Sequence, residues 1–204
     1  DERRPQDGSR RDPRRGERPA PARDQPRSLA RPGGGRGSAS AADIARNKRI
    51  TSARSAGEIL SIVANETLNM VNAATAVSRL ARLGSVDGDE PWVRLRDVVA
   101  GDGTAFGTQA VANVLHGYAR LTKCGLALSL VPLEPLEAAV GRLAGAMEPQ
   151  EVANTLWSYA TLGEAPARAT LDALEAAAAR TARSMKPQEV ANGLWSYAVF
   201  DLRP

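Results

Sequence analysis

Little in this 204-residue chain lends itself to metal or thiol chemistry, because it holds one Cys and one His. A single Cys leaves no disulfide framework, and the pair falls short of the four-ligand set of a structural zinc site. Aromatic residues make up only 4% of the chain. No stretch approaches the roughly 18 uninterrupted apolar residues that a membrane-spanning helix needs, so a transmembrane protein is excluded. Strand signals are also missing: period-two alternation is absent, β-branched runs are lacking, and Ala is abundant. The length suits one or two domains.

The net charge of +4 is unevenly placed. Residues 1–40 carry 11 Arg against 6 Asp and Glu, leaving 16 of the 27 basic and 17 of the 23 acidic residues for the rest. The body is therefore close to neutral. Leu29 is the only large aliphatic side chain of the tail, which cannot bury enough apolar area to offset its ordering entropy. We expect a disordered Arg/Pro/Gly-rich tail over 1–47. Its RPGGGRG stretch, Arg31 to Gly37, suits loose contact with nucleic acid phosphates, or serves as a solvated linker. The Arg- and Ser-rich composition fits an organellar transit region, whereas Asp1, Glu2, Asp7, Asp12, Glu17 and Asp24 oppose one. The chain opens on Asp1 and stops at Pro204 inside a repeated pattern, as a piece of a longer protein would.

Internal repetition is the main signal. PQEVANTLWSYATLG (Pro149 to Gly163) returns as PQEVANGLWSYAVFD (Pro187 to Asp201), 38 residues on. Weaker copies are TQAVANVLHGYARLT from Thr108, 41 residues before the stronger one, and MVNAATAVSRLARLG from Met70, a further 38 back. A preceding segment repeats with them: Trp92, Leu95, Val99; Leu133, Leu136, Val140; Leu171, Leu174, Ala178. Those spacings lie on one helix face. Pro91, Pro135, Pro149 and Pro187 suit first helical positions, while Gly84 and Gly163 suit the ends. The expected fold is all-α: an α-solenoid of about four two-helix repeats with a period of 38 to 41 over 48–204, with second helices near 70–83, 108–121, 149–162 and 187–200. With no polar cap, an apolar edge should be exposed after Phe200.

Each repeat column samples one position four times. Ala74, Ala112, Ala153 and Ala191, and Ala81, Ala119, Ala160 and Ala198, mark close helix approaches. Val77, Leu115, Leu156 and Leu194, with Leu83, Leu121, Leu162 and Phe200, should fill the core. Tyr118, Tyr159 and Tyr197 align with Leu80 and read as core residues with satisfied hydroxyls. His116, Trp157 and Trp195 align with Ser78, a position that tolerates polarity and should be partly exposed.

Polar columns supply the candidate binding residues. Gln150, Asn154 and Ser158 recur as Gln188, Asn192 and Ser196, and in part as Gln109 and Asn113. Spacing of four places them on one stripe, so stacked units would draw a ladder of amides. Such a ladder suits base edges, or hydrogen bonds to a neighbouring repeat. Together with His116, Trp157 and Trp195, and with Arg79, Arg82 and Arg120 as phosphate contacts, these form the candidate RNA-binding set. No catalytic constellation emerges. The Gly33 to Gly37 run lacks the strand and Lys-Ser/Thr of a phosphate loop, Gly101 to Thr104 reads as a helix-ending turn, and Asp172 with Glu175 reads as solvent charge. No enzyme, cofactor, metal or small-molecule substrate is expected.

The two C-terminal copies resemble the octotricopeptide repeats of algal organellar proteins, and are similar to repeat regions of RAP-domain and FAST-kinase-like proteins and of the kinetoplastid RNA-editing substrate-binding complex. The resemblance covers about residues 48–204. It implies an α-solenoid that binds single-stranded RNA in organellar processing, stability, translation or editing, in a mitochondrion or plastid. The PPPEW-type stretch of octotricopeptide repeats is absent, and no RAP domain precedes Pro204. The near-neutral body also suits a protein-interaction scaffold that grips an extended peptide or a partner helix, which leaves a cytoplasmic location open.

Overall fold

The computed structural model describes residues 40–101 and 105–200. The Arg31 to Gly37 segment lies outside them, as does all but the start of the turn expected at Gly101 to Thr104. Among the described residues there are α-helices and short 3₁₀ turns but no strand. The helices are α1 (Ala41–Ser52), α2 (Ala56–Asn65), α3 (Met70–Leu83), α4 (Glu90–Gly101), α5 (Thr108–Lys123), α6 (Leu133–Leu143), α7 (Pro149–Leu162), α8 (Arg168–Thr181) and α9 (Pro187–Val199). The second helix of each repeat copy thus lies within two residues of its expected bounds.

Local sequence explains the boundaries. Ser40 Oγ accepts from the Asp43 N–H at 3.1 Å, and Asp43 Oδ2 accepts from the Ser40 N–H at 3.3 Å, a capping box that opens α1. Ser55 and Asn69 cap α2 and α3 by accepting from Glu58 N and Asn72 N. Pro149 and Pro187 take the first positions of α7 and α9, where no N–H is required. There Glu151 and Glu189 reach back to the N–H groups of Glu148 and Lys186 at 2.9 and 2.8 Å. Gly84 and Gly163 end α3 and α7 with φ of 69° and 74°, a left-handed conformation that costs a side chain-bearing residue far more.

Packing follows two rows. α1, α3, α5, α7 and α9 each lie against the next odd-numbered helix, and α2, α4, α6 and α8 form the second row against them. A first helix always sits in the groove behind it: α4 on α2 and α3, α6 on α4 and α5, and α8 on α6 and α7. Buried Trp92, Leu95, Leu136, Val140, Leu171 and Leu174 fill those grooves, meeting Val77, Leu115, Leu156, Tyr118 and Tyr159. Burial of such side chains, at about 1.5–3 kcal/mol each, is the main stabilising term.

Four expectations require correction. Residues 41–47 are not part of a disordered tail. They are the first half of α1, fixed by the Ser40 box and by Arg46, which bonds Asp43, Glu66 and Asn72. Leu194 and Ala198 are exposed rather than core, because among the described residues no helix packs against that side of α9. Leu83, the last residue of α3, is exposed as well. The Tyr118 and Tyr159 side chains are core, but their buried hydroxyls have no hydrogen-bond partner among the described residues, because the side chains packed around them are apolar.

Candidate binding face

The amide stripe is set by helix geometry. A step of four residues overshoots one turn by about 40°, so a stripe written as i, i+4, i+8 rotates by about 80° over its length. On α7 this carries the chain from exposed Gln150 through the largely buried Asn154 to Ser158, which is sealed between helices. Its hydroxyl donates to the Asn154 carbonyl. Ser196 does the same on α9, donating to Asn192 O at 2.7 Å, so neither serine faces a ligand. Asn192 is buried and its Oδ1 accepts from Gln188 Nε2 at 3.0 Å, within its own helix and not toward a neighbour's backbone.

The face that remains steps by four and then three. Gln109, Asn113, His116, Arg120 and Lys123 lie on it from α5; Gln150, Asn154, Trp157 and Thr161 from α7; Gln188 and Trp195 from α9. Gln109, Gln150 and Lys123 are exposed, and Asn113, His116, Arg120, Gln188 and Trp195 are half-buried.

The rings on this face touch. His116 and Trp157 lie 5.0 Å apart between centroids at 47°, and Trp157 and Trp195 lie 6.5 Å apart at 35°. Neighbouring helix axes pack about 8–10 Å apart, so rings this close must lean toward one another across each groove. Lys123 Nζ sits 5.5 Å from the Trp157 centroid, within cation–π range. Trp157, expected to be partly exposed, is only 7% accessible as a result. The outer members of the row, His116 and Trp195, keep more of their surface open.

The arginines divide. Arg79 Nη2 donates to Ala53 O at 2.7 Å, closing the end of α1, so this residue holds the fold together instead of offering a phosphate contact. Arg82 is exposed at the end of α3. Lys123 escaped the sequence reading because α5 outlasts the repeated pattern. The signal was its place seven residues after His116, on the same side of the helix.

No family model, curated protein or solved structure matches this chain. Among the described residues no group of His, Cys, Asp and Glu is placed to hold a metal ion, and no helix is long and apolar enough to cross a membrane. Cys124 is exposed and free. Burial pushes the Tyr118 and Tyr159 hydroxyls well above the ordinary tyrosine range; at Tyr118 the Arg96 charge opposes the rise and Asp97 adds to it, and at Tyr159 Glu137 adds to it. They stay protonated at neutral pH, and neither is disposed to act as a base. The chemistry this face offers is stacking, amide hydrogen bonding and positive charge, the means by which unpaired bases and their phosphates are held.

Proposed function

We propose that the chain is an α-solenoid of four two-helix repeats that binds single-stranded RNA along the odd-helix face, in the RNA metabolism of a mitochondrion or plastid. The observation that carries this reading is the joined row of His116, Trp157 and Trp195 with a Gln at the same height of each helix and Lys123 beside it. Aromatic faces accept any base, and the amides reach base edges. The Arg-rich segment before residue 41 adds phosphate affinity without sequence preference. The organellar setting rests on the resemblance of the repeat sequence alone.

One observation favours a second reading, a protein-interaction scaffold. The Trp157 ring is already packed against His116, Trp195 and Lys123 and is only 7% accessible, and the body carries no basic surplus. A labelled single-stranded RNA titrated with the chain over a salt series separates the two. Stacking contributes about 1–3 kcal/mol per base, so Trp195→Ala should weaken binding by roughly 5- to 150-fold if the face holds RNA. An unchanged affinity, with all binding lost at moderate salt, would leave RNA to the Arg-rich segment and the face to a protein.

A further inference from the structure

The even row has an open place. α4, α6 and α8 each lie in a groove formed by the two helices of the pair before them, and the corresponding groove on α8 and α9 is unfilled among the described residues. It is a cleft of about 380 Å³ whose floor is Leu156, Ala178, Ala182 and Met185 and whose wall is Val190 and Leu194.

The earlier repeats show what such a groove holds. Val152 and Leu156, the counterparts of Val190 and Leu194 on α7, are 0% and 1% exposed beneath α8 and α9. Val190 and Leu194 are 41% and 55% exposed. The filling helix presents the same three apolar positions each time: Trp92, Leu95 and Val99 on α4; Leu133, Leu136 and Val140 on α6; Leu171, Leu174 and Ala178 on α8. Gly193 leaves the middle of the cleft open, for a Cβ there would meet nothing within 4 Å.

We infer that the α8–α9 groove is a docking site for one amphipathic helix carrying a large apolar residue, a Leu three positions later and a Val or Ala four beyond that. The contact continues an interface the chain already makes three times, which fixes both the occupant's chemistry and its direction along the row. No undescribed stretch of these 204 residues carries that signature, since Leu29 is the only large aliphatic residue in 1–39. The occupant is therefore a helix from outside these 204 residues. Glu175 and Glu189 border the groove, so basic residues flanking the apolar stripe would suit it.

A fluorescein-labelled peptide with the sequence of residues 168–185, titrated with the full 204-residue chain, tests this by anisotropy. Saturable binding is expected, weakened at least tenfold by Leu194→Asp and by Gly193→Trp, and absent for a peptide with both leucines changed to Asp. Both chain substitutions fall in open space, and an unchanged circular dichroism melt would show that each variant is folded. No saturation, or binding indifferent to both substitutions, would overturn the proposal. Sedimentation velocity covers the remaining occupant: a dimer of the chain alone that Leu194→Asp dissolves would give the groove to a second copy and likewise overturn it.

Discussion

Gly117 of α5 sits so close to α3 that a Cβ there would lie 2.8 Å from Val77 Cγ1 and 3.5 Å from the Val77 carbonyl oxygen. Val77 is β-branched and buried in its helix, so its methyl cannot swing aside. Ser158 and Ser196 occupy the same repeat column as Gly117 and are likewise buried, so this column marks the seam between odd helices.

Opposite outcomes are therefore expected at two glycines. Gly117→Ala gains about 1 kcal/mol of helix propensity but meets an overpacking cost of about 1–3 kcal/mol, for a net loss near 1 kcal/mol. Gly193→Ala, in open space on α9, should stabilise by about 0.5–1 kcal/mol. Urea unfolding followed by circular dichroism reads both. Equal signs would show that α3 and α5 do not approach as described.

A boundary prediction follows from α1. Glu66, in the α2–α3 connection, accepts from Arg46 Nε at 3.1 Å and from Arg49 Nη1 at 2.6 Å, and Asn72 Nδ2 donates to the Asp43 carbonyl at 3.1 Å. A chain beginning at residue 48 loses the Ser40 cap, worth about 1 kcal/mol. It also leaves too little of α1 to shield Ile50, worth about 2 kcal/mol. Compared with a chain beginning at residue 40, it should be less stable by about 3 kcal/mol in urea unfolding, and equal midpoints would show that α1 is dispensable.

What the sequence made legible, and what it hid, divides along physical lines. Repeat identity placed α3, α5, α7 and α9, because Pro at the start of α7 and α9, Gly at the end of α3 and α7 and apolar spacing in all four are local signals. The amide ladder failed at Ser158 and Ser196 because spacing of four was read as a straight stripe when it winds into the seam. The ring contacts of His116, Trp157 and Trp195 depend on how helices 38 or more residues apart lean together, which no single helix encodes. α1 was hidden for another reason: it belongs to no repeat copy, and its Ser40–Asp43 box lies beside an Arg/Gly-rich stretch that masks it.

The buried tyrosines set an alkaline limit. Burial raises the Tyr118, Tyr159 and Tyr197 hydroxyls above the ordinary value of 10.0, with Glu137 and Glu175 adding to it at Tyr159 and Tyr197 and Arg96 opposing it at Tyr118. A folded-state pKa above the unfolded one means the folded chain holds the proton more tightly. Their contribution is full below about pH 10 and is lost as pH rises beyond it. Phenolate absorbance near 295 nm should appear together with loss of helical ellipticity, as one transition. A smooth phenolate titration at constant ellipticity would mean that the hydroxyls are open to water.

Lys123 offers the sharpest test of the RNA reading. Its ammonium lies over the Trp157 ring on an exposed turn at the end of α5, so replacing it leaves the core untouched. Lys123→Gln removes a cation–π contact worth about 0.5–1 kcal/mol at an exposed site, a small loss in unfolding. If the same ammonium meets a phosphate, RNA affinity falls and the slope of log affinity against log salt becomes shallower by about 0.7, the value for one contact to a single strand. Anisotropy titrations at four salt concentrations give both quantities. A stability loss with affinity and slope unchanged would confine Lys123 to packing on Trp157 and take the strand off this face.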